Sequence, residues 1–599
     1  MLFWKGEIVG EIGFSRFFVF NKLRLIFKQT PKLIFSLFKN SAIKAKAEKT
    51  TDGSLYNLLA LFSVHGPFNT DLTKPPTMPQ ASKYSLIPHW LRQLFVGHEI
   101  KLTALLMLAW LLGTIGLRTL ALPDEGRYVG VAWEMLRTDQ WLTPTLNGLP
   151  YFHKPPLFYW LTAASLQVFG AADWAARFAP LFGACVAATA IYVLTRRWLS
   201  ATSARWTLVI LATCPVFYGG AQYANHDMLV AGLITATIAF AADAVLAMQN
   251  SRQWRVSLLL AWAAAALGLL SKGLIGIVLP GGVIIFWLLI AQQWRLIPRL
   301  LWWPAPLLFL LIAAPWFGLM QLKYPGFLHY FFIEQQFQRF TASGFNNVQP
   351  FWFYPTALFL LTLPWAPLLF TRLARSASNN PVQRNVVLLL WVWLVFIVLF
   401  FSIPKSKLIG YALPVLPALA ALIADGVVRH RFWGKDSGKP RAVIAVLAAI
   451  LCLCSVWAIS KSDDTTSYAM TQAYRQKAQP GEPLIFVNVY PFDFAFYSQL
   501  KSPVPVLGNW DPAIVNLRDS WRKELLDASY FDVSMGQQVL LADAALPGLL
   551  CQSSVTWLVT ENKAKEKNPL LLSAERVAAS ETRALLRVSK DAAACAEKK

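Results

Sequence analysis

The chain has 599 residues, of which 56% are hydrophobic, 14% aromatic and only 15% charged, with a mean hydropathy of +0.44. Soluble domains carry roughly 45–50% apolar and about 25% charged residues, so an ordinary water-soluble enzyme is excluded. The net charge of +23 comes from cations in short clusters between apolar runs, not along one basic face. That pattern excludes a nucleic-acid surface and fits the loops of a polytopic membrane protein.

Residues 1–77 differ from the rest, with 11 Lys+Arg against 5 Asp+Glu. The stretch from Phe14 to Asn40 mixes Phe, Leu and Ile with Lys22, Arg24, Lys28, Lys32 and Lys39, which predicts a basic amphipathic surface helix. Cations interrupt any apolar centre and no small-residue cleavage site follows, so it does not read as a signal peptide. The segment is expected to be peripheral, with Met78 a second candidate start ahead of the first clear span.

Apolar runs of membrane length follow at about 102–121, 175–195, 206–222, 228–248, 256–270, 274–291, 300–320, 355–371, 385–403, 408–425 and 441–460. Leu157–Gly170 is either an outward juxtamembrane helix or part of an unresolved pair of crossings, so an odd total of 11–13 spans is expected. Arg196, Arg197, Arg252, Arg255, Arg295, Arg299, Arg372, Arg375, Arg384, Arg429, His430, Arg431, Lys435, Lys439 and Arg441 fall in alternate loops. The positive-inside rule puts those loops and the N-terminus in the cytoplasm, and the C-terminus outside.

The expected organisation is a peripheral extension over 1–77, a transmembrane domain over 78–460 with an outward loop at 122–155, and a soluble α/β domain over 461–599. In the last, Pro483–Tyr490 and Ser554–Thr560 read as buried strands and Asp519–Ala528 as a helix. Cys185, Cys214, Cys452 and Cys454 lie in apolar spans and read as packing residues. Cys551 and Cys595 could pair in an oxidising compartment; two free thiols are the alternative.

The densest polar cluster lies in the first outward loop: Asp124, Glu125, Arg127 and Tyr128, then Tyr151, His153 and Lys154. An Arg three residues after a carboxylate shares its helical face. Carboxylates can accept a proton or hold an amine, while Arg and Lys hold phosphate. An interfacial belt of anchoring aromatics and cations is the alternative. Asp227, Lys272, Lys405, Lys407 and Tyr411 fall at the outward ends of later spans. Charges at membrane depth are costly and usually line a polar cavity, so this convergence reads as a site. The outward face lacks ATP and nucleotide sugars, so a donor there must arrive activated; a polyprenyl-phosphate sugar meets that need. No Walker loop or dinucleotide fingerprint occurs. A secondary transporter is the rival from another class, but internal repeats are not evident.

These motifs, in this order, resemble the GT-C membrane glycosyltransferases of the protein-O-mannosyltransferase superfamily, and most of all the aminoarabinose transferases that modify lipid A. The shared pattern spans about residues 100–425: Leu-Pro-Asp124-Glu125-x-Arg127-Tyr128, Tyr151-Phe-x-Lys154-Pro, Phe169-Gly, Arg177, Tyr223-x-x-x-Asp227, Lys272-Gly, His329-Tyr-Phe-Phe, Gln338-Arg339-Phe340, Leu363-Pro-Trp365 and Phe401-Ser-x-x-Lys405-x-Lys407 before Tyr411. The resemblance implies a mostly α, polytopic transmembrane bundle with a C-terminal soluble α/β periplasmic domain, in the bacterial inner membrane. It implies an undecaprenyl-phosphate sugar as donor, inversion at the anomeric carbon, and lipid A or another envelope molecule as acceptor. A protein or another glycan is the competing acceptor.

By the same resemblance Asp124 is the key catalytic carboxylate and Asp227 a second acid at the same cavity, Arg127, Lys154 and Lys272 would bind phosphate or orient the donor, and Tyr411 would line the pocket. From the clustering of polar residues, Glu125 is expected to join the catalytic carboxylates, and Lys405, Lys407 and His153 to bind substrate. Two positions depart from the family pattern: His153 stands where a Glu precedes the Lys-Pro, and Gln335-Gln336 where Glu-His is found. His153 with Glu334 is a poor zinc set, so no cofactor is assigned and a divalent cation is the only candidate. Membrane lipid is an expected partner, nucleic acid is not, and a monomer is expected.

Overall fold

The computed structural model describes residues 98–338, 347–373, 380–429, 438–461, 466–563 and 571–590. The basic leader 1–77, Arg339, Phe340, Arg375, His430, Arg431, Lys435 and Cys595 lie outside the described residues.

Seven described helices are long and apolar enough to cross a membrane, and a bent pair, Phe353–Leu361 with Ala366–Arg372, makes an eighth candidate with a 108° break. The chain opens with α1 (His98–Leu112) and the polar helix α2 (Asp124–Thr138). A two-stranded hairpin, β1 (Thr145–Leu146) with β2 (Leu149–Pro150), follows, and then α3 (Leu157–Phe169). At 13 residues, α3 is short for a straight crossing of a hydrocarbon core about 30 Å thick. The bundle continues through α4 (Phe178–Trp198), α5 (Ala201–Ala212), α6 (Pro215–Ala221), α7 (His226–Gln249), α8 (Arg255–Lys272), α9 (Ile275–Ile290), α10 (Pro304–Lys323), α11 (Phe353–Leu361), α12 (Pro381–Ser402), α13 (Leu416–Arg429) and α14 (Gly438–Ser460). Each of the eleven apolar runs overlaps one or more of these helices, but among the described residues seven helices, or eight with the bent pair, have the length and hydropathy of a crossing, fewer than the 11–13 spans expected. Run 206–222 is divided where Pro215, at the start of α6, takes the place of a helical N–H donor.

At the centre is α7, apolar on every side and buried along nearly its whole length. Its contact with α4 is made at Gly183 and Gly232, where a Cβ built on Gly232 would lie 2.9 Å from the Gly183 Cα. Backbone-to-backbone approach of this kind holds membrane helices together by dispersion, since lipid tails give no hydrophobic drive. The opposite extreme is α14, whose Val443, Leu447, Ile450 and Trp457 are exposed, as suits a lipid-facing helix.

Two acids near the α7 termini show how the bundle separates its ends. Asp243 accepts from Arg197 Nη1 (2.6 Å), Trp198 Nε1 (2.7 Å) and Ser257 Oγ (2.6 Å). Asp227 lies about 24 Å away along the axis at 1.5 Å per residue. The end that holds Asp243 also holds the α7–α8 and α9–α10 connections with Arg252, Arg255, Arg295 and Arg299, and the Arg372–Asp425–Arg429 cluster.

After α14 a six-stranded sheet forms in the order β5-β4-β3-β6-β8-β7. Its strands are β3 (Leu484–Val487), β4 (Val506–Leu507), β5 (Leu540–Leu541), β6 (Val555–Glu561), β7 (Glu575–Ala579) and β8 (Arg583–Ser589). The first four in spatial order pair in parallel, and β8 and β7 add antiparallel strands. Period-two alternation divides the apolar residues between two faces. Ile485, Val487, Leu558 and Leu586 pack on one side. Phe486, Trp557, Val559 and Leu585 join the other, in a single core with Tyr128, Val129 and Met135 of α2. Asn147 of the hairpin exchanges hydrogen bonds of 2.8 and 2.9 Å with the Val504 backbone. The outward loop is thereby clamped between the bundle and the sheet. Cys551 is disulfide-bonded, and Cys185, Cys214, Cys452 and Cys454 are free.

Candidate functional site

The site is organised by the first turn of α2, where two adjacent acids favour the positive end of the helix dipole. Successive helical residues point about 100° apart, and the two acids have separate surroundings. Glu125 is fully buried and saturated. Its Oε1 accepts from Arg177 Nε (2.8 Å) and the Ala224 amide (2.8 Å); its Oε2 accepts from Arg118, the Ala121 amide (2.8 Å) and Arg177 Nη2 (3.2 Å). Burial alone would raise its pKa, but the Arg118 and Arg177 guanidiniums overcome it and hold the carboxyl at about 2. Arg177, with no exposed surface, also donates to the carbonyls of Ile115 (2.7 Å), Arg118 (2.9 Å) and Thr119 (2.8 Å). The catalytic part expected of Glu125 does not fit this geometry: its lone pairs are spent on holding the loop. Its bond to Ala224 reaches the turn where Asn225 caps α7, accepting from the Asp227 amide at 2.9 Å. Glu125 thus fixes the spacing between Asp124 and Asp227.

Asp124 is the open acid, with its side chain 34% exposed. The protein around it makes burial the main influence, raising its pKa; Asp227 raises it further, while Arg127, Lys272 and Lys154 oppose. Asp227, Arg127, Lys272 and Lys154 are thus the charges that act on Asp124. Lys272, the last residue of α8, donates to Asp227 Oδ1 and stands over the Tyr411 ring at 4.6 Å. Tyr411 in turn stacks on Phe401 at 5.1 Å. The turn that carries Tyr411 comes so close to α7 that a Cβ on Gly410 would meet the Asp227 carboxylate, 2.8 Å from its Cγ. Only a residue without a side chain fits there.

Arg127 points toward the sheet domain. Its Nη1 donates to Glu524 Oε1 at 2.9 Å, and its Nη2 is 3.7 Å from Asp124. Glu524 belongs to α15 (Trp521–Ser529) and also accepts from the Tyr151 hydroxyl at 3.1 Å. Sequence reasoning missed Glu524, Arg118 and His226. His226, next to Asp227, has its Nδ1 2.7 Å from the Ser271 carbonyl, and its ring lies among Tyr128, Phe158 and Tyr159. The Tyr223-x-x-x-Asp227 pattern was its one available signal; nothing local marked Glu524.

One of the expected substrate cations is used otherwise. Lys407 is 3% exposed and donates to the carbonyls of Gln349 (3.0 Å) and Pro404 (2.5 Å), tying segment 347–350 to the loop before Tyr411. Its ammonium protons serve backbone carbonyls, so phosphate binding at the Asp227–Lys272 pair is not supported for Lys407. Lys405 is exposed on the same loop. His153 is buried, stacked on Tyr151 at 4.7 Å and tilted toward Tyr330 at 6.1 Å. Among the described residues no group of three His, Cys, Asp or Glu could hold a metal. Glu334 is 3.4 Å from His329 instead, Gln335 donates to Tyr330 Oη (2.9 Å), and Gln336 reaches the Lys272 carbonyl (3.5 Å).

Residues 100–331 match the family described as dolichyl-phosphate-mannose-protein mannosyltransferase. The chain is also similar to proteins named undecaprenyl phosphate-alpha-4-amino-4-deoxy-L-arabinose arabinosyl transferase. The one from Erwinia tasmaniensis is 34% identical over 349 residues, 56% of this chain and 62% of the relative. That from Aeromonas hydrophila is 33% identical over 340 residues, 56% of this chain and 61% of the relative. The aligned part therefore spans about three fifths of these relatives' length. The crystal structure of ArnT from Cupriavidus metallidurans bound to undecaprenyl phosphate superposes with a TM-score of 0.69 at 25% identity, covering 82% of this chain and 98% of that one. Its apo form gives 0.68 at 23% identity. The chain therefore has a GT-C fold.

Proposed function

We propose that this chain is a bacterial inner-membrane glycosyltransferase that moves a sugar from an undecaprenyl-phosphate donor to an envelope acceptor, with aminoarabinose and lipid A as sugar and acceptor. The observation that carries the reading is the gathering of Asp124, Asp227, Arg127, Lys154 and Lys272 at one end of a lipid-embedded bundle. The names of the similar transferases support the choice of donor and sugar. Orientation follows from the arginine-rich end: that end and the N-terminus are cytoplasmic, and the sheet domain over 461–599 is periplasmic.

In this mechanism an acceptor oxygen attacks the anomeric carbon from the face opposite the donor phosphate. The bond between that carbon and the phosphate oxygen breaks, and undecaprenyl phosphate leaves with the electron pair. Arg127, Lys154 and Lys272 stabilise the charge that grows on the departing phosphate, an interaction strongest in the transition state. Asp227 keeps Lys272 charged and aimed, and Tyr411 supplies a wall beneath the ammonium. Asp124 has a raised pKa and open access, and suits either task left to a carboxylate. It takes the proton of a hydroxyl acceptor, or anchors the donor amine when the acceptor is an already ionised phosphate. Glu125, Arg118 and Arg177 position the loop. The chain acts as a monomer and no metal step is invoked.

His153 and Gln335-Gln336, which depart from the family pattern, give the competing reading: transfer to a protein or another glycan. Purified protein with undecaprenyl-phosphate aminoarabinose and lipid A decides between them. The expected product is lipid A heavier by one aminoarabinose; unmodified lipid A together with a glycosylated alternative acceptor would overturn the assignment.

A further inference from the structure

At the end of the bundle opposite the site, Met248, Ser251, Arg252, Trp254 and Arg299 line a recess of about 390 Å³. Asp243, toward the same end of α7, is only 1% exposed and already holds Arg197, Trp198 and Ser257. Arg252 and Arg299 of the lining, and Arg255 and Arg295 on the same connections outside it, are all exposed, and none forms an ion pair among the described residues. Among the described residues, the two guanidiniums of the recess therefore have no carboxylate paired with them.

The Arg252 and Arg255 guanidiniums lie against rings. Arg252 lies 5.5 Å from the Trp198 centroid, and Arg255 lies 5.7 and 5.5 Å from Trp254 and Trp302. Trp254 and Trp302 meet edge to face at 5.6 Å. Cation–π stacking fixes where a guanidinium sits while leaving its N–H fork unspent. Arg299 comes from the 3₁₀ segment Trp294–Leu301, which links α9 to α10. In that segment Leu296, Ile297 and Leu300 pack on the bundle, while Trp294, Leu301 and the following Trp303 are exposed. Exposed indoles beside arginines at the helix ends mark the depth of lipid headgroups.

We propose that this recess binds the phosphate of an anionic phospholipid headgroup. A planar fork matches phosphate oxygens two at a time, and the volume suits a headgroup. Basic pockets between helices on the cytoplasmic side meet the leaflet that carries acidic lipid. Topology alone does not account for the arrangement: orientation is set by Lys and Arg alike, yet both cations that line the recess are Arg. The proposal is independent of the transfer reaction at the other end.

The test uses the full-length protein, delipidated and returned to phosphatidylcholine nanodiscs, with retained phosphatidylglycerol counted by native mass spectrometry during titration. R252K/R299K keeps the charge, and so the orientation, while removing the forks. The expected result is one preferentially held phosphatidylglycerol, bound at least fivefold more weakly by R252K/R299K and unaffected by R295K outside the recess, with transfer activity unchanged. Equal retention by R252K/R299K and the parent, or an equal loss in R295K, would overturn the site. Displacement of the lipid by millimolar inorganic phosphate would reassign it to a free anion and overturn the lipid.

Discussion

Replacing Glu125 by Gln separates support from chemistry at two adjacent acids. The substitution keeps the side-chain volume but removes the charge, and turns one of two acceptor atoms into a donor. Five donors currently converge on the carboxylate, three of them from Arg118 and Arg177. Removing one partner of a buried ion pair typically costs about 3–5 kcal/mol, because the remaining charge is stranded. The carboxyl's displacement from 4.5 to about 2 gives a similar figure, about 3 kcal/mol at roughly 1.4 kcal/mol per pH unit. Because the folded pKa is the lower one, this stabilisation is complete above about pH 4.5 and is lost as pH falls toward 2. Thermal unfolding of detergent-solubilised E125Q at pH 7 is expected to show a clearly lowered midpoint, and the gap to the parent is expected to narrow in acid. D124N is expected to unfold like the parent while transfer falls at least a hundredfold, since general-base and charge-anchoring roles are worth about 10²–10⁴. An E125Q protein with the parent's midpoint but no activity would refute the division of roles, as would a strongly destabilised D124N.

The raised pKa of Asp124 places the acid limb of kcat/KM above the ordinary aspartate range, with activity lost as pH falls through it. D227N removes a neighbouring negative charge, so a pH–rate profile of that variant should show the limb at lower pH. E524Q weakens the hold on Arg127 from the sheet domain. A hydrogen bond to a charged group is worth about 1.5–3 kcal/mol, so kcat is expected to drop about tenfold or more in a stably folded protein; an unchanged kcat would show that Arg127 does not depend on Glu524. G410A pushes a methyl against Asp227, and a steady-state assay is expected to find transfer impaired while G219A, where a Cβ meets nothing within 4 Å, is silent.

Membrane class, the order of the apolar runs and the split of charges between two ends were legible because hydropathy and charge are local properties of the chain. The strands Pro483–Tyr490 and Ser554–Thr560 were legible for the same reason: short β-branched runs carry their own period. The approach of Asp124, Asp227, Lys272 and Tyr411 could be anticipated, since each lies at the same end of a crossing and the bilayer lines up helix ends. What each charge touches could not. Asp124 and Glu125 are neighbours with opposite surroundings, and that difference depends on Arg118, Arg177 and Ala224 arriving from elsewhere. Lys407 looks like a phosphate ligand until its ammonium is found on the Gln349 and Pro404 carbonyls. Glu524 enters the site from nearly 400 residues beyond Arg127, a pairing that no local pattern encodes. The sequence by itself determined a membrane bundle with polar chemistry at one end. Tertiary structure decided which acid is open and which is a brace, because the partners that set a buried charge's role are brought to it only by long-range packing.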